Sequence, residues 1–408
     1  MKYIILICDG AADWPIKDLG NKTIFEAADT PSMDWIANHG QMGMLKTIPE
    51  GLDPGSGYAN MTIMGYRPEK DFTGRGPLEA LSAGVTLSKT DIAFRCNLIT
   101  ITEGLIEDYS SGHITTEESK ILIEHIQSQL KENGVDFFPG IQYRHILRLN
   151  GDKFSENIVS TPPHDQLNKP YKEFLPKSND LDDEKANMTA EYIIKLIERS
   201  HKPLVEHKIN KNRAKNGKRM ATHIWPWGGG KKPNMEPFNK KYGLNGSVIS
   251  AVDLIFGIGI ALGLKPVRVK GATGLPDTNY KGKVEAALKE LKEKDIVYLH
   301  VEAIDEMGHT GDPKKKMAAL KDFDQYIIKP FIDTQDKFNN ELVIVVLADH
   351  ATPCKIRTHS SEPVPFAIYN PKKESKIISS RKYSEKSGEE GEFGLIENGE
   401  EFIKLILR

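Results

Sequence analysis

The 408-residue sequence predicts an α/β fold, a mostly parallel sheet flanked by helices with a smaller α+β unit inserted into it. Three observations carry this expectation. Short β-branched runs alternate with stretches of helical periodicity. Several of those runs stop at Asp or His, as strands do where a parallel sheet opens onto a ligand crevice. The middle of the chain breaks the alternation: one helix is followed by extended and Pro-rich pieces. The expected division is residues 1–107 and 182–408 for the larger domain and 108–181 for the inserted one.

The first strand is "YIILIC" (3–8), a short apolar run that breaks into Asp-Gly; it reads as a core strand and not as a signal peptide or membrane span. Further strands are expected at "GMLKTI" (43–48), "IAFRCNLITI" (92–101), "PVRVKG" (266–271), "DIVYLHV" (295–301) and "LVIVVLAD" (342–349). Helices are expected at 245–264, 280–293 and 313–335, the last with apolar residues at spacings of three and four. In the middle lie a helix in "TTEESKILIEHIQSQLKENG", an extended "YRHILRLN", and a solvated linker "KSNDLDDEKAN" (177–187). "INKNRAKNGKRM" and "HIWPWGGGKKPNMEPF" are expected as basic, glycine-rich surface turns.

Composition excludes several classes. A formal net charge of −2 gives no long-range pull toward nucleic acid or an anionic membrane. The three cysteines lie far apart, without the spacing of a disulfide framework or a thiolate zinc site. A cytoplasmic enzyme-sized protein is expected.

Three predicted strand ends, and the segment after the last of them, carry related chemistry. Asp9 follows the first strand; Asp305 and His309 follow 295–301; Asp349 and His350 end 342–349; and His359 comes ten residues on. Singly, each has an ordinary reading as a turn, a helix cap or an i, i+4 pair. Together, three Asp and three His at one sheet edge suit two divalent cations, with Zn²⁺ or Mn²⁺ favoured by the mixed oxygen and nitrogen donors and Mg²⁺ a further candidate. In "GLDPGSGYANMTIMGY", Ser56 falls where a turn meets helical spacing. It is either a cap or a serine placed where backbone N–H groups favour negative charge.

The motifs "CDGAADWP", "PGSGYANMTIMGYRP", "FTGRGPLEA", "SSGHITTEE", "STPPHD", "GATGLPDTNYKGK", "HVEAIDEMGHTGD", "ADHATPC" and "THSSEPVPF" run from residue 8 to residue 366. In this order they resemble the alkaline phosphatase superfamily, and more closely the archaeal-type, cofactor-independent phosphoglycerate mutases and their bacterial relatives. The resemblance implies an alkaline-phosphatase-like core with an inserted cap. It also implies one metal on Asp305, His309 and His359, and a second on Asp9, Ser56, Asp349 and His350. Ser56 would be the nucleophile, phosphorylated in mid-cycle, moving phosphate between the 3- and 2-hydroxyls of glycerate without bisphosphoglycerate. The partner is then a small phosphorylated acid; the sequence says nothing of oligomeric state. Arg75, His113, Arg95, Arg144, Arg148, Arg213 and Lys283 stand in or near the matching loops as candidates for holding it, and His164 in "PPHD" reads equally as a turn residue.

Two features depart from the family pattern. Gly57 follows Ser56 where many relatives carry an acid. "HIWPWGGGKKP" resembles a bacterial subgroup linked to phosphorylating homoserine, so a homoserine phosphotransferase is the alternative, and a non-catalytic metal-binding scaffold a third reading. "WGGGKKP" lacks the spacing of a phosphate-cradling P-loop.

Overall fold

The computed structural model describes residues 1–373 and 380–408, which form two compact units, Met1–Phe72 with Met235–Arg408, and Thr73–Asn234. The second unit is larger than the 108–181 insertion read from the sequence. It takes in both 73–107 and 182–234 because Ile92–Thr102, expected in the main sheet, pairs instead with Arg144–Leu149 and His223–Lys231.

The first unit is built on an eight-stranded sheet. Its order is Lys265–Arg268, Gly246–Ser250, Ile296–Val301, Lys2–Cys8, Leu342–Leu347, Val364–Tyr369, Gln41–Leu45 and Leu395–Ile396. The five strands from Lys265–Arg268 through Leu342–Leu347 are parallel, and Val364–Tyr369 runs antiparallel to both its neighbours. Ile4 to Ile7 and Leu342 to Leu347 are fully buried. Strands covered on both faces by crossover helices read as continuous apolar runs, which is why these two were legible. The 245–264 stretch does not form the single helix expected. Gly246–Ser250 is a strand and Asp253–Ala261 the helix, since an unbroken apolar run carries no period and Val248 and Ile249 are buried inside the sheet. The 313–335 helix is interrupted by a π-helical turn at Asp324–Ile328. No helix among the described residues is long and apolar enough to cross a membrane.

The second unit is an antiparallel sheet with the helices Thr116–Gln129 and Glu184–Glu206. Both segments expected as surface turns are structured. "INKNRAKNGKRM" supplies the helix Lys208–Lys215, and "HIWPWGGGK" is the strand His223–Lys231 with Trp225 and Trp227 buried. Its glycines serve packing: a Cβ on Gly229 would collide with the Phe94 ring, and one on Gly230 with the Thr73 backbone.

Candidate metal centre and nucleophile

The parallel strands deliver their side chains to one edge of the first unit. Asp9 directly follows Lys2–Cys8, and Asp349 and His350 come just after Leu342–Leu347. Asp305 and His309 sit on the short helix Ala303–Thr310 after Ile296–Val301. His359 precedes the antiparallel strand Val364–Tyr369. Gly10 has φ +63, and a Cβ there would run into Asp305 and Thr352, so glycine lets the turn after Lys2–Cys8 pass this close to both side chains.

Three overlapping groups have donor atoms within 4.8 Å of one another: Asp305, His309 and His359; Asp9, Asp305 and His350; and Asp9, His300 and Asp349. His309 Nε2 is 3.0 Å from Asp305 Oδ2, and His359 Nε2 is 3.6 Å from Asp305 Oδ1. His350 Nε2 is 3.4 Å from Asp9 Oδ1 and 3.6 Å from Asp349 Oδ2. Asp349 is braced by Gly10 N–H at 3.0 Å and the Asn60 amide at 2.8 Å. His309 Nδ1 meets the Arg357 carbonyl at 3.0 Å, which fixes its hydrogen on Nδ1 and turns Nε2 inward.

The electrostatics suit cations. Burial, then repulsion from Asp349 and Asp305, pushes the Asp9 carboxyl well above the usual range. Burial holds the His350 imidazole below its ordinary value and drops that of His300 to about 4, so both are neutral bases at neutral pH. Asp9 Oδ1, His300 Nε2 and His359 Nε2 are buried and, among the described residues, make no well-aligned hydrogen bond, only carboxylate–imidazole approaches of 3.0–3.6 Å. Unpaired buried donors and acceptors are costly, and a carboxylate–imidazole set of this kind fits divalent metal ions.

Ser56 is the first residue of the helix Ser56–Ile63, and its Oγ lies 3.2 Å from His350 Nε2. Asn60, one turn on, donates to both the Ser56 carbonyl and Asp349, tying the helix to the centre. Gly57, the departure noted above, has a packing cause: a Cβ there would lie 2.9 Å from the Phe72 ring. Lys283 is fully buried on the helix Tyr280–Glu290, with Nζ 3.0 Å from the His300 carbonyl. Burial lowers its pKa to about 8 against the opposing fields of Glu302 and Asp9.

In the second unit, three of the arginine candidates come together. Glu79 accepts from Arg75 Nε and from Arg95 Nη1 at 3.1 Å, and it feels Arg144 as well. Arg95 lies 4.8 Å and Arg75 5.8 Å from the Trp227 ring centre, with His164 packed edge-on to the same ring. Burial lowers the Arg95 pKa to about 10, and Arg95 Nε and Arg144 Nε are buried without partners. One carboxylate among three guanidinium groups leaves a surplus of positive charge, a fitting place for an oxyanion.

The remaining candidates do not join this set. Arg148 is spent on Asp136 and the Thr86 carbonyl, and buried Arg213 on Glu118 and the carbonyls of Ser111 and Arg219. In this structure both tie neighbouring segments together with these donors. His113 is exposed in a left-handed turn capped by Asp108 and Ser110.

Sequence reading missed His300, Asn60 and Thr352. His300 left a signal, as the polar residue in the otherwise apolar "IVYLHV"; Asn60 left one as the i+4 neighbour of Ser56; Thr352 left none.

A family model described as 2,3-bisphosphoglycerate-independent phosphoglycerate mutase matches residues 37–210. The chain is 46% identical to the protein of that name from Methanosarcina barkeri, over 97% of both chains. A solved structure of a protein from Pyrococcus horikoshii superposes with a TM-score of 0.80 at 27% identity, covering 100% of this chain and 96% of the other. The cofactor-independent phosphoglycerate mutase from Thermoplasma acidophilum does so with a TM-score of 0.66 at 25% identity, over 100% and 99%. With near-full-length identity of this order and a shared fold, the chain belongs to the 2,3-bisphosphoglycerate-independent phosphoglycerate mutase family.

Proposed function

We propose that this chain interconverts 3-phosphoglycerate and 2-phosphoglycerate as an isomerase of cytoplasmic glycolysis and gluconeogenesis, with Ser56 as the transient phosphate carrier and no bisphosphoglycerate. The observation that carries the reading is Ser56 Oγ at a helix N-terminus, 3.2 Å from His350 Nε2 and beside a group of three buried carboxylates and four imidazoles, two of them buried and two half-buried. A structural metal site has no use for a hydroxyl placed there, which argues against a non-catalytic scaffold.

Asp305, His309 and His359 would hold one divalent cation, and Asp9, Asp349, His350 and Ser56 the other, with Mn²⁺ or Zn²⁺ favoured over Mg²⁺. When bound, these ions lower the serine pKa and offset charge on the transferring phosphoryl group. Ser56 Oγ attacks phosphorus while the bond from phosphorus to the substrate's 3-oxygen breaks, and the serine proton ends on the freed 3-hydroxyl. The glycerate then turns, its 2-oxygen attacks the phosphoserine, and Ser56 recovers its proton from that hydroxyl. Backbone N–H groups of the Ser56 helix stabilise the phosphoryl charge. Arg75, Arg95 and Arg144 are the set assigned to the substrate's oxyanions.

The homoserine alternative loses its own support, because burial and close backbone packing account for the Trp-Pro-Trp-Gly stretch that suggested it. The test is Ser56→Ala, assayed with 3-phosphoglycerate and Mn²⁺ without bisphosphoglycerate. Turnover should fall at least a thousandfold while metal content is kept. Appreciable mutase activity in that variant, or wild-type turnover only with homoserine and a phosphodonor, would overturn the reading.

A further inference from the structure

Thr352 lies three residues beyond Asp349, is fully buried, and has one hydroxyl for two jobs. Its Oγ1 donates a short hydrogen bond to Asp305 Oδ1 and stands 3.3 Å from His350 Nδ1. His350 Nδ1 also faces the Ala351 carbonyl at 3.3 Å. A carbonyl can only accept, so Nδ1 carries the hydrogen and Nε2 is the lone pair turned to Ser56 and Asp9. The Thr352 oxygen, its own hydrogen given to Asp305, accepts from His350. One hydroxyl thus touches Asp305 of the Asp305, His309 and His359 group and the imidazole of His350, next to Ser56.

The hydroxyl cannot drift, because its backbone is pinned on both sides. Thr352 N–H donates to the Ala12 carbonyl at 3.2 Å, and the Thr352 carbonyl accepts from Lys316 Nζ at 2.8 Å. Lys316, fully buried, also donates to the Ala12 carbonyl and to Asp13 Oδ2, each at 2.9 Å. The loop carrying Asp9 and the loop carrying Asp349 and His350 are therefore clamped together at Thr352.

We propose that Thr352 is a positioning residue that couples the two cation positions, setting the rotamer of Asp305 and the tautomer of His350 through a single hydroxyl. The proposal rests on the two-cation reading above. It is specific to the oxygen and not to the volume, which separates it from a packing role. Outer partners of metal-binding imidazoles and carboxylates change metal affinity by roughly 10- to 100-fold when removed. Thr352→Val keeps shape and burial and deletes only the hydroxyl; Thr352→Ser keeps the hydroxyl.

The experiment titrates Mn²⁺ and Co²⁺ into full-length, metal-stripped wild type, Thr352→Val and Thr352→Ser, read by calorimetry and by the Co²⁺ visible spectrum. Thr352→Val should weaken binding at both positions by about tenfold or more and alter the Co²⁺ bands, and Thr352→Ser should restore both. Wild-type affinities and spectrum in Thr352→Val, weakening at one position alone, or no recovery in Thr352→Ser would each overturn the coupling. Wild type that takes up fewer than two cations would instead sink the two-cation reading, and the coupling with it.

Discussion

Replacing Lys316 by Met tests how far the buried ammonium holds the first unit together. Its three donors are all used, on Ala12 O, Asp13 Oδ2 and Thr352 O at 2.8–2.9 Å. Met fills the channel left by the stem and offers no donor. Asp13, 5% exposed, would retain the N–H groups of Trp14 at 2.8 Å and Cys354 at 3.1 Å and the Cys354 thiol, all neutral, to offset its charge. Removing one partner of a buried ion pair costs about 3–5 kcal/mol, because the other charge stays buried and uncompensated. The Thr352 carbonyl also loses its lysine donor, so Lys316→Met should cost about 4 kcal/mol, within that range. Asp13→Asn strands the ammonium instead and is expected to cost a similar amount. The double variant has no stranded charge and should recover about 2 kcal/mol or more relative to the sum of the single changes. Urea unfolding of metal-stripped protein at pH 7, followed by far-UV circular dichroism, gives the four free energies of the cycle. A cost below about 1 kcal/mol for Lys316→Met, or strict additivity in the cycle, would show that the clamp carries no weight.

Two further outcomes are expected. Glu385 is held by Thr23 Oγ1 at 2.7 Å and Asp13 N–H at 3.3 Å, and burial pushes its carboxyl from 4.5 to about 7. A folded pKa above the unfolded one gives stability that is full below 4.5 and lost as pH rises through about 7, and that gap is worth about 3 kcal/mol at most. Glu385→Gln should therefore gain on wild type steadily from pH 4.5 to pH 7.5 in urea unfolding, and a flat or opposite difference would refute the assignment. For the basic set, Arg75→Ala should raise KM for 3-phosphoglycerate about tenfold while lowering kcat less, as loss of one charged hydrogen-bonding contact to an oxyanion predicts; an unchanged KM would remove Arg75 from substrate binding.

The main sheet was legible where the physics leaves a local trace. "YIILIC" and "LVIVVL" are apolar without alternation because helices cover both faces, and each is followed by a candidate ligand, Asp9 or Asp349. The same lack of alternation hid the strand Gly246–Ser250, whose apolar run continues through a turn into a helix. Membership of Ile92–Thr102 in the second unit could not be read locally, since strand partners are chosen by tertiary contacts far along the chain, such as Trp227 against Asn97, 130 residues away. Among the site residues, Asp and His betrayed themselves by standing at strand ends. Arg148 and Arg213 looked equally eligible as Arg75 because sequence does not say whether a guanidinium already has its carboxylate. Thr352 was invisible, a small polar residue whose importance lies wholly in what faces its oxygen.

The charge balance of the centre explains why so many distant segments meet there. Among the described residues, the ion pairs of Asp9, Asp305 and Asp349 are all with histidines. Two of those histidines, His300 and His350, are kept neutral by burial and bring no positive charge. The nearby ammonium of Lys283 is itself depressed and spends a hydrogen bond on the His300 carbonyl. Asp305 lifts the His309 pKa to about 9 and so has one cationic partner, but the imidazoles facing Asp9 and Asp349 are neutral, and burying those carboxylates is costly for a fold that keeps them for its own sake. On the proposed reading, two divalent cations would bring four positive charges to those three carboxylates and leave the centre net positive toward a serine alkoxide or a phosphoryl group at Ser56. The parallel sheet makes this arrangement economical in sequence, because each parallel strand ends at the same edge and needs to deliver only one or two of the candidate ligands. Local contacts such as Asp305 with His309 hold only parts of it, so the cross-loop contacts of Gly10, Asn60, Lys316 and Thr352 would decide whether donor atoms from separate loops arrive within reach of a common ion.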